Sequence, residues 1–71
     1  MFVELEVYQS EAINTVIISI NINSIDTIIP SIVNNKEVTL LYTNKEDYIT
    51  TVLPYKDVVN RINYVIRKNK K

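Results

Sequence analysis

The chain offers few groups that could do covalent chemistry. It has no histidine and no cysteine, which removes the commonest general base at neutral pH, the thiolate nucleophile and the ordinary zinc ligands. Ser10, Ser19, Ser24 and Ser31 have only lysines such as Lys36, Lys45 or Lys56 as formal partners. A glycine count of zero excludes a glycine-rich phosphate cradle. Glu4 and Glu6 fall on one side of an alternating run, about 7 Å apart if that run is a strand. A carboxylate pair needs a cleft around it, and solvated charges that discourage sheet-to-sheet pairing explain the two glutamates better. The sequence therefore predicts a protein without catalytic residues, metal or cofactor.

The second group with chemical potential is cationic and aromatic. Lys56, Arg61, Arg67 and Lys68 fall with Tyr55 and Tyr64 in the last third of the chain. Together they could meet a small anionic ligand such as a signalling nucleotide, with charge from the bases and stacking from the rings. Nucleic acid is disfavoured. Eight acids balance eight bases overall, and the bases collect at one end rather than along a groove. Residues 1–35 carry Glu4, Glu6, Glu11 and Asp26 with no base, whereas Arg61, Arg67, Lys68, Lys70 and Lys71 have no acid among them. A basic last turn also complements the helix dipole, which accounts for the asymmetry without any ligand.

These residues must be placed by a small fold. The 71 residues suit one domain, which buries only about 60–65 % of its unfolded surface. No disulfide or zinc can staple it, so association is the remaining route to a larger core. Phe2–Tyr8 alternates, with Val3, Leu5 and Val7 on one face; Thr15–Asn23 follows with Val16, Ile18, Ile20 and Ile22 aligned. Ser24-Ile25-Asp26 reads as a turn, and residues 27–29 as a short strand ended by Pro30. Ser31–Lys36 reads as a loop whose Asn34-Asn35 must supply positive φ in a chain without glycine. Residues 37–43 and 48–53 read as a hairpin around Asn44-Lys45-Glu46.

After Pro54 the apolar period lengthens, and Tyr55, Val58, Val59, Ile62, Val65 and Ile66 mark a helix over about 55–68. The expected architecture is α+β: a small, mainly antiparallel five-stranded sheet with one C-terminal helix packed on it. One side of such a sheet should be wet. Yet Ile17, Ile29, Leu41, Tyr48 and Val52, joined by Phe2 and Tyr8, fall on that side. They predict a self-association face, or else a sheet that curls and buries both sides itself.

No charged leader precedes an apolar run, and no stretch reaches the ~20 apolar residues needed to cross a bilayer. The sequence is expected to be cytoplasmic, with no membrane partner.

Three segments carry a resemblance. Asn21-Ile22-Asn23-Ser24-Ile25-Asp26-Thr27-Ile28-Ile29-Pro30, Val38-Thr39-Leu40-Leu41-Tyr42-Thr43-Asn44-Lys45 and Tyr55-Lys56-Asp57-Val58-Val59-Asn60-Arg61-Ile62 are similar, in order, to the pattern of the FlbD family. That family comprises small flagellar and swarming-motility proteins with short relatives in phages and mobile elements. Lys45 stands where its Asn-Gly glycine is usual, Val52-Leu53 where a Lys-Glu pair is typical, and Pro54 at the helix-capping serine. The resemblance implies no enzyme, no cofactor and no catalytic residues. The expectation is a non-catalytic, homo-oligomeric accessory protein of a phage or mobile element that binds a host protein. Alternatives are an oligomeric sponge for a small anionic ligand and a motility-associated protein.

Overall fold

The computed structural model describes residues 1–9, 14–43 and 47–69. Five strands, β1 (Phe2–Tyr8), β2 (Thr15–Asn21), β3 (Thr27–Val33), β4 (Lys36–Tyr42) and β5 (Tyr48–Thr51), form one sheet, followed by helix α1 (Tyr55–Asn69). The order across the sheet is β2-β1-β5-β4-β3, with every neighbour antiparallel. The fold is α+β, as the alternation followed by a helical period predicts.

β5 ends at Thr51 rather than Leu53, and three other boundaries differ from expectation, each for a local reason. Ile22–Ser24 is a single 3-10 turn rather than the end of β2, because the Asn21 side chain accepts from the Asn23 N–H and bends the chain. Pro30 does not end β3. It sits inside an edge strand opposite Thr39, where a missing N–H is tolerated on the side that no neighbour pairs. Ser31–Lys36 is not a loop. The chain reverses at Asn34-Asn35 alone, with φ of 52° and 63°, the two positive values that a tight hairpin turn requires. The expected turn at Asn44–Glu46 lies outside the described residues, while its flanks pair as Tyr42↔Tyr48.

The sheet is curled. Val7 is level with Thr51 and Thr51 with Thr39, so on a flat sheet Met1 and Tyr42 would lie about 30 Å apart. Yet the Ile22 N–H donates to the Met1 carbonyl and the Asp26 N–H to the Tyr42 carbonyl. The stretch from Ile22 to Asp26 reaches at most about 15 Å. The β1–β2 hairpin must therefore cross over the β3–β4–β5 unit, and the sheet closes into a partial barrel. Val3, Leu5, Val7, Ile20 and Leu41 form its interior with Val58 and Ile62 of α1, and Ile18, Ile22, Ile25, Ile28 and Ile49 line it.

The seam between β1 and β5 is narrow, with Val7↔Thr51 as its register pair. Hydrogen bonds around Thr51 reinforce it. The Glu6 carbonyl accepts from the Thr51 hydroxyl at 2.6 Å and from the Val52 N–H at 3.1 Å. The Thr51 Oγ1 also accepts from the Leu53 N–H, and the facing Thr39 hydroxyl donates to the Leu53 carbonyl at 2.8 Å. Both threonines are fully buried. Pro54 then starts the helix by accepting the Val58 N–H on its carbonyl, and Asn69 Nδ2 donates to the Val65 carbonyl near the far end.

Two outcomes test this core. Val58→Ala or Ile62→Ala should cost about 2–4 kcal/mol in urea unfolding, with a smaller loss at the half-buried Val65 and Ile66. Thr51→Val should cost about 1–3 kcal/mol, because the Leu53 N–H loses its acceptor and the Glu6 carbonyl keeps only the Val52 N–H. Thr51→Ser should recover most of that. Equal stability of the Val and Ser variants would show that the hydroxyl contributes nothing.

Candidate functional site

The anticipated self-association residues separate into four environments. Ile29 and Tyr48 lie on the outside of the β3–β4–β5 unit, both exposed. Paired side chains share a face, so the register places Tyr48, Tyr42 and Thr27 in one outer row and Thr50, Leu40 and Ile29 in the next. Ser31 beside Val38 and Val33 beside Lys36 follow on that side by alternation, but Val38 is only 1 % exposed, with Tyr55 of α1 next to it. The rings of Tyr42 and Tyr48 are 5.4 Å apart. No charged residue occurs in 27–33, 38–43 or 48–55. The outer surface of these strands is thus uncharged along its length, with Asp26 and Asp47 just beyond one end and Lys36 at the other.

Ile17 is elsewhere. It is 72 % exposed on the outer side of the β1–β2 hairpin, opposite Glu6 and two residues from Ser19, which faces Glu4. Glu6 Oε2 accepts from the Thr15 hydroxyl at 2.6 Å, so this wall mixes polar groups with two exposed apolar side chains, Ile17 and Phe2. Val52 is half-buried in the connection between β5 and α1.

Leu41 is a correction. Expected outside, it is 0 % exposed and belongs to the core. Counting polar side chains along β4 misleads here, because Thr39 and Thr51 occupy the inner face with their hydroxyls satisfied by carbonyls of the seam. Leu41 shares their side of the strand. The outer face consequently holds Leu40 and Tyr42.

The cationic and aromatic set does not converge. At 100° per residue, Arg61, Tyr64 and Lys68 share one flank of α1, with Lys56 and Arg67 on the opposite flank and separated by about three turns. On the first flank Arg61 Nη1 donates to the Glu4 carbonyl at 3.3 Å, and the Lys68 ammonium lies 5.9 Å from the centre of the Tyr64 ring. Phe2, Glu4, Ser19, Arg61 and Tyr64 line an open depression of about 490 Å³ there. A neighbouring one of about 150 Å³ brings Glu4 and Glu6 beside Arg61. Glu4 and Glu6 offset the charge of Arg61 at these depressions. Tyr55, 43 % exposed, is instead at the helix start with Pro30, Ile32 and Val38 around a separate depression.

Glu4 and Glu6 are side by side on the outer strand face, without an enclosing cleft of their own. Among the described residues no group of three or more acidic, histidine or cysteine side chains could hold a metal ion. Nor is any helix among them long and apolar enough to cross a membrane. A scan against family models, a search of curated proteins and a search of solved structures each find no match for this chain.

The split of the bases generates a prediction. A cyclic dinucleotide should leave the melting temperature unchanged, whereas a true ligand at 100 times its dissociation constant would add about 2.7 kcal/mol. A clear upward shift that disappears in both Arg61→Gln and Lys56→Gln would mean that two copies assemble the site from opposite flanks.

Proposed function

We propose that this protein is a non-catalytic, self-associating binding module. The carrying observation is the uncharged outer surface of β3–β4–β5, with Tyr48 and Ile29 exposed and Tyr42, Leu40 and Thr50 half-buried. A chain of 8.3 kDa folded compactly exposes about 4,600 Å². This one exposes 5421 Å² and is elongated, 41 × 22 × 19 Å.

Resemblance to the FlbD family supports the wider role of an accessory protein of a phage or mobile element that binds a host protein; a motility-associated role rests on the same resemblance. Sequestration of an anionic ligand is less well supported, because the bases lie on two flanks of the helix. Among the described residues, no cluster of reactive side chains supports an enzymatic role.

Self-association has a direct test. Light scattering at micromolar concentration should give a dimer or larger, and the melting temperature should rise with protein concentration, since assembly couples to folding by mass action. A monomer with a concentration-independent melting temperature would sink the reading.

A further inference from the structure

We propose that two copies of this chain join through the free edge of β2, the two β2 strands running antiparallel about a two-fold axis at Ile18. This rests on the self-association reading but on a different observation, the open edge of the sheet rather than its uncharged outer face.

The ladder fixes where each backbone group of β2 points. The Ile22 N–H donates to the Met1 carbonyl and the Gln9 N–H to the Asn14 carbonyl, and both pairs continue the β1–β2 register. Hydrogen-bonded pairs alternate in an antiparallel ladder, so Val3↔Ile20, Leu5↔Ile18 and Val7↔Val16 are the bonded ones. Thr15, Ile17 and Ser19 therefore turn their N–H and C=O groups away from β1, on the side where β2 ends the sheet. Val16, Ile17 and Ser19 are exposed, as an uncovered edge requires. A row of free donors and acceptors fits an extended strand.

The other edge is blunted. The Thr43 N–H donates to the Asp47 carbonyl in the β4–β5 register, so the odd residues of β4 face β5. Its even residues then bond Thr27, Ile29, Ser31 and Val33. Ile28, Pro30 and Ile32 point outward from β3, and Pro30 has no N–H to give. β2 carries no such block, because residues 12–25 include neither a charge nor a proline.

A second copy is the strand that fits. Pairing about Ile18 sets Ile17 beside Ser19 of the other copy and Thr15 beside its Asn21, so outward groups meet outward groups. On the core side Val16, 36 % exposed, gains Ile20 of the other copy as its neighbour, and Ile18 meets Ile18. A foreign strand must bring a matching alternation, whereas a second copy has it by symmetry. An axis along the strands would turn the other copy's core side outward and break this row. Glu4 and Glu6, which face Ser19 and Ile17, stay three strand spacings from the other copy's carboxylates, about 14 Å. That exceeds the screening length of about 8 Å in physiological salt.

Sedimentation velocity over a concentration series tests the edge, with circular dichroism confirming that each variant folds. Ser19→Pro keeps the β1–β2 ladder, since the N–H it removes points outward. It should weaken the dimer at least about 100-fold, because each copy loses a central donor. Ile32→Pro, the matching change on the β3 edge, should leave the dimer unchanged. The chain has no cysteine, so Ile18→Cys can form a disulfide only between copies. Facing residues of a pair without hydrogen bonds have Cα atoms about 4.5 Å apart, within disulfide reach. Oxidation with diamide should therefore give a cross-linked dimer on a non-reducing gel. A monomeric parent ends the self-association reading itself, and this inference with it. A parent dimer unmoved by Ser19→Pro overturns the edge alone, and a weakened dimer that Ile18→Cys does not cross-link overturns the register. Should Ser19→Pro fail to fold, the cross-link decides.

Discussion

The Glu6 carbonyl holds this fold together. It accepts from both the Thr51 hydroxyl and the Val52 N–H, where β1 and β5 share the register pair Val7↔Thr51. On either side of that point lie two units with extensive pairing of their own, β1–β2 and β3–β4–β5. Without the seam they would be separate ribbons, each too small to hide its apolar side from water. With it they cross, and the interior formed by Val3, Leu5, Val7, Ile20 and Leu41 becomes continuous. Hydrophobic burial supplies most of the driving force in such a core. The seam decides which surfaces meet.

The geometry of α1 follows from the same place. Thr39 and Thr51 fix Leu53 through its carbonyl and its N–H, so the chain enters Pro54 in a set direction. Val58 and Ile62 then reach the core, and Arg61 reaches the carbonyl of Glu4 beyond the last residue at which β5 pairs with β1. A residue expected to bind a ligand is thus engaged in closing the fold. The helix covers one side of the barrel, and its first residue Tyr55 lies beside Val38 and Ser31, leaving Tyr48 and Ile29 exposed on the outside of β3–β4–β5.

Most of the architecture was legible because strand and helix periods differ. Val3, Leu5 and Val7 alternate cleanly, and Val58, Ile62, Val65 and Ile66 recur at helical spacing, so the elements and their inward faces were readable there. β4 and β5 were not. A threonine reads as polar, yet Thr39 and Thr51 are buried because each hydroxyl finds a carbonyl that only the tertiary fold brings near. That inversion put Leu41 on the wrong side and hid Leu40 and Tyr42 from the list of outer residues. Pro30 misled differently: its meaning depends on whether the strand has one neighbour or two. The alternation does not reveal that. Of the candidate residues, Ile29 and Tyr48 share the outer surface of β3–β4–β5, while Ile17 is across the barrel from them.

The seam joins residues 45 positions apart and the Arg61–Glu4 bond spans 57, which has a consequence during synthesis. The β1–β2 hairpin leaves the ribosome complete, but its cover does not yet exist. At about 5–20 residues per second, the remaining chain through α1 takes roughly 2–10 s to appear. Throughout that interval Ile18 and Ile20 of the nascent hairpin face water or a chaperone rather than Val58 and Ile62. Production of this protein is therefore expected to be sensitive to translation rate over its last third, a dependence set by the order in which the two sides of one small core are made.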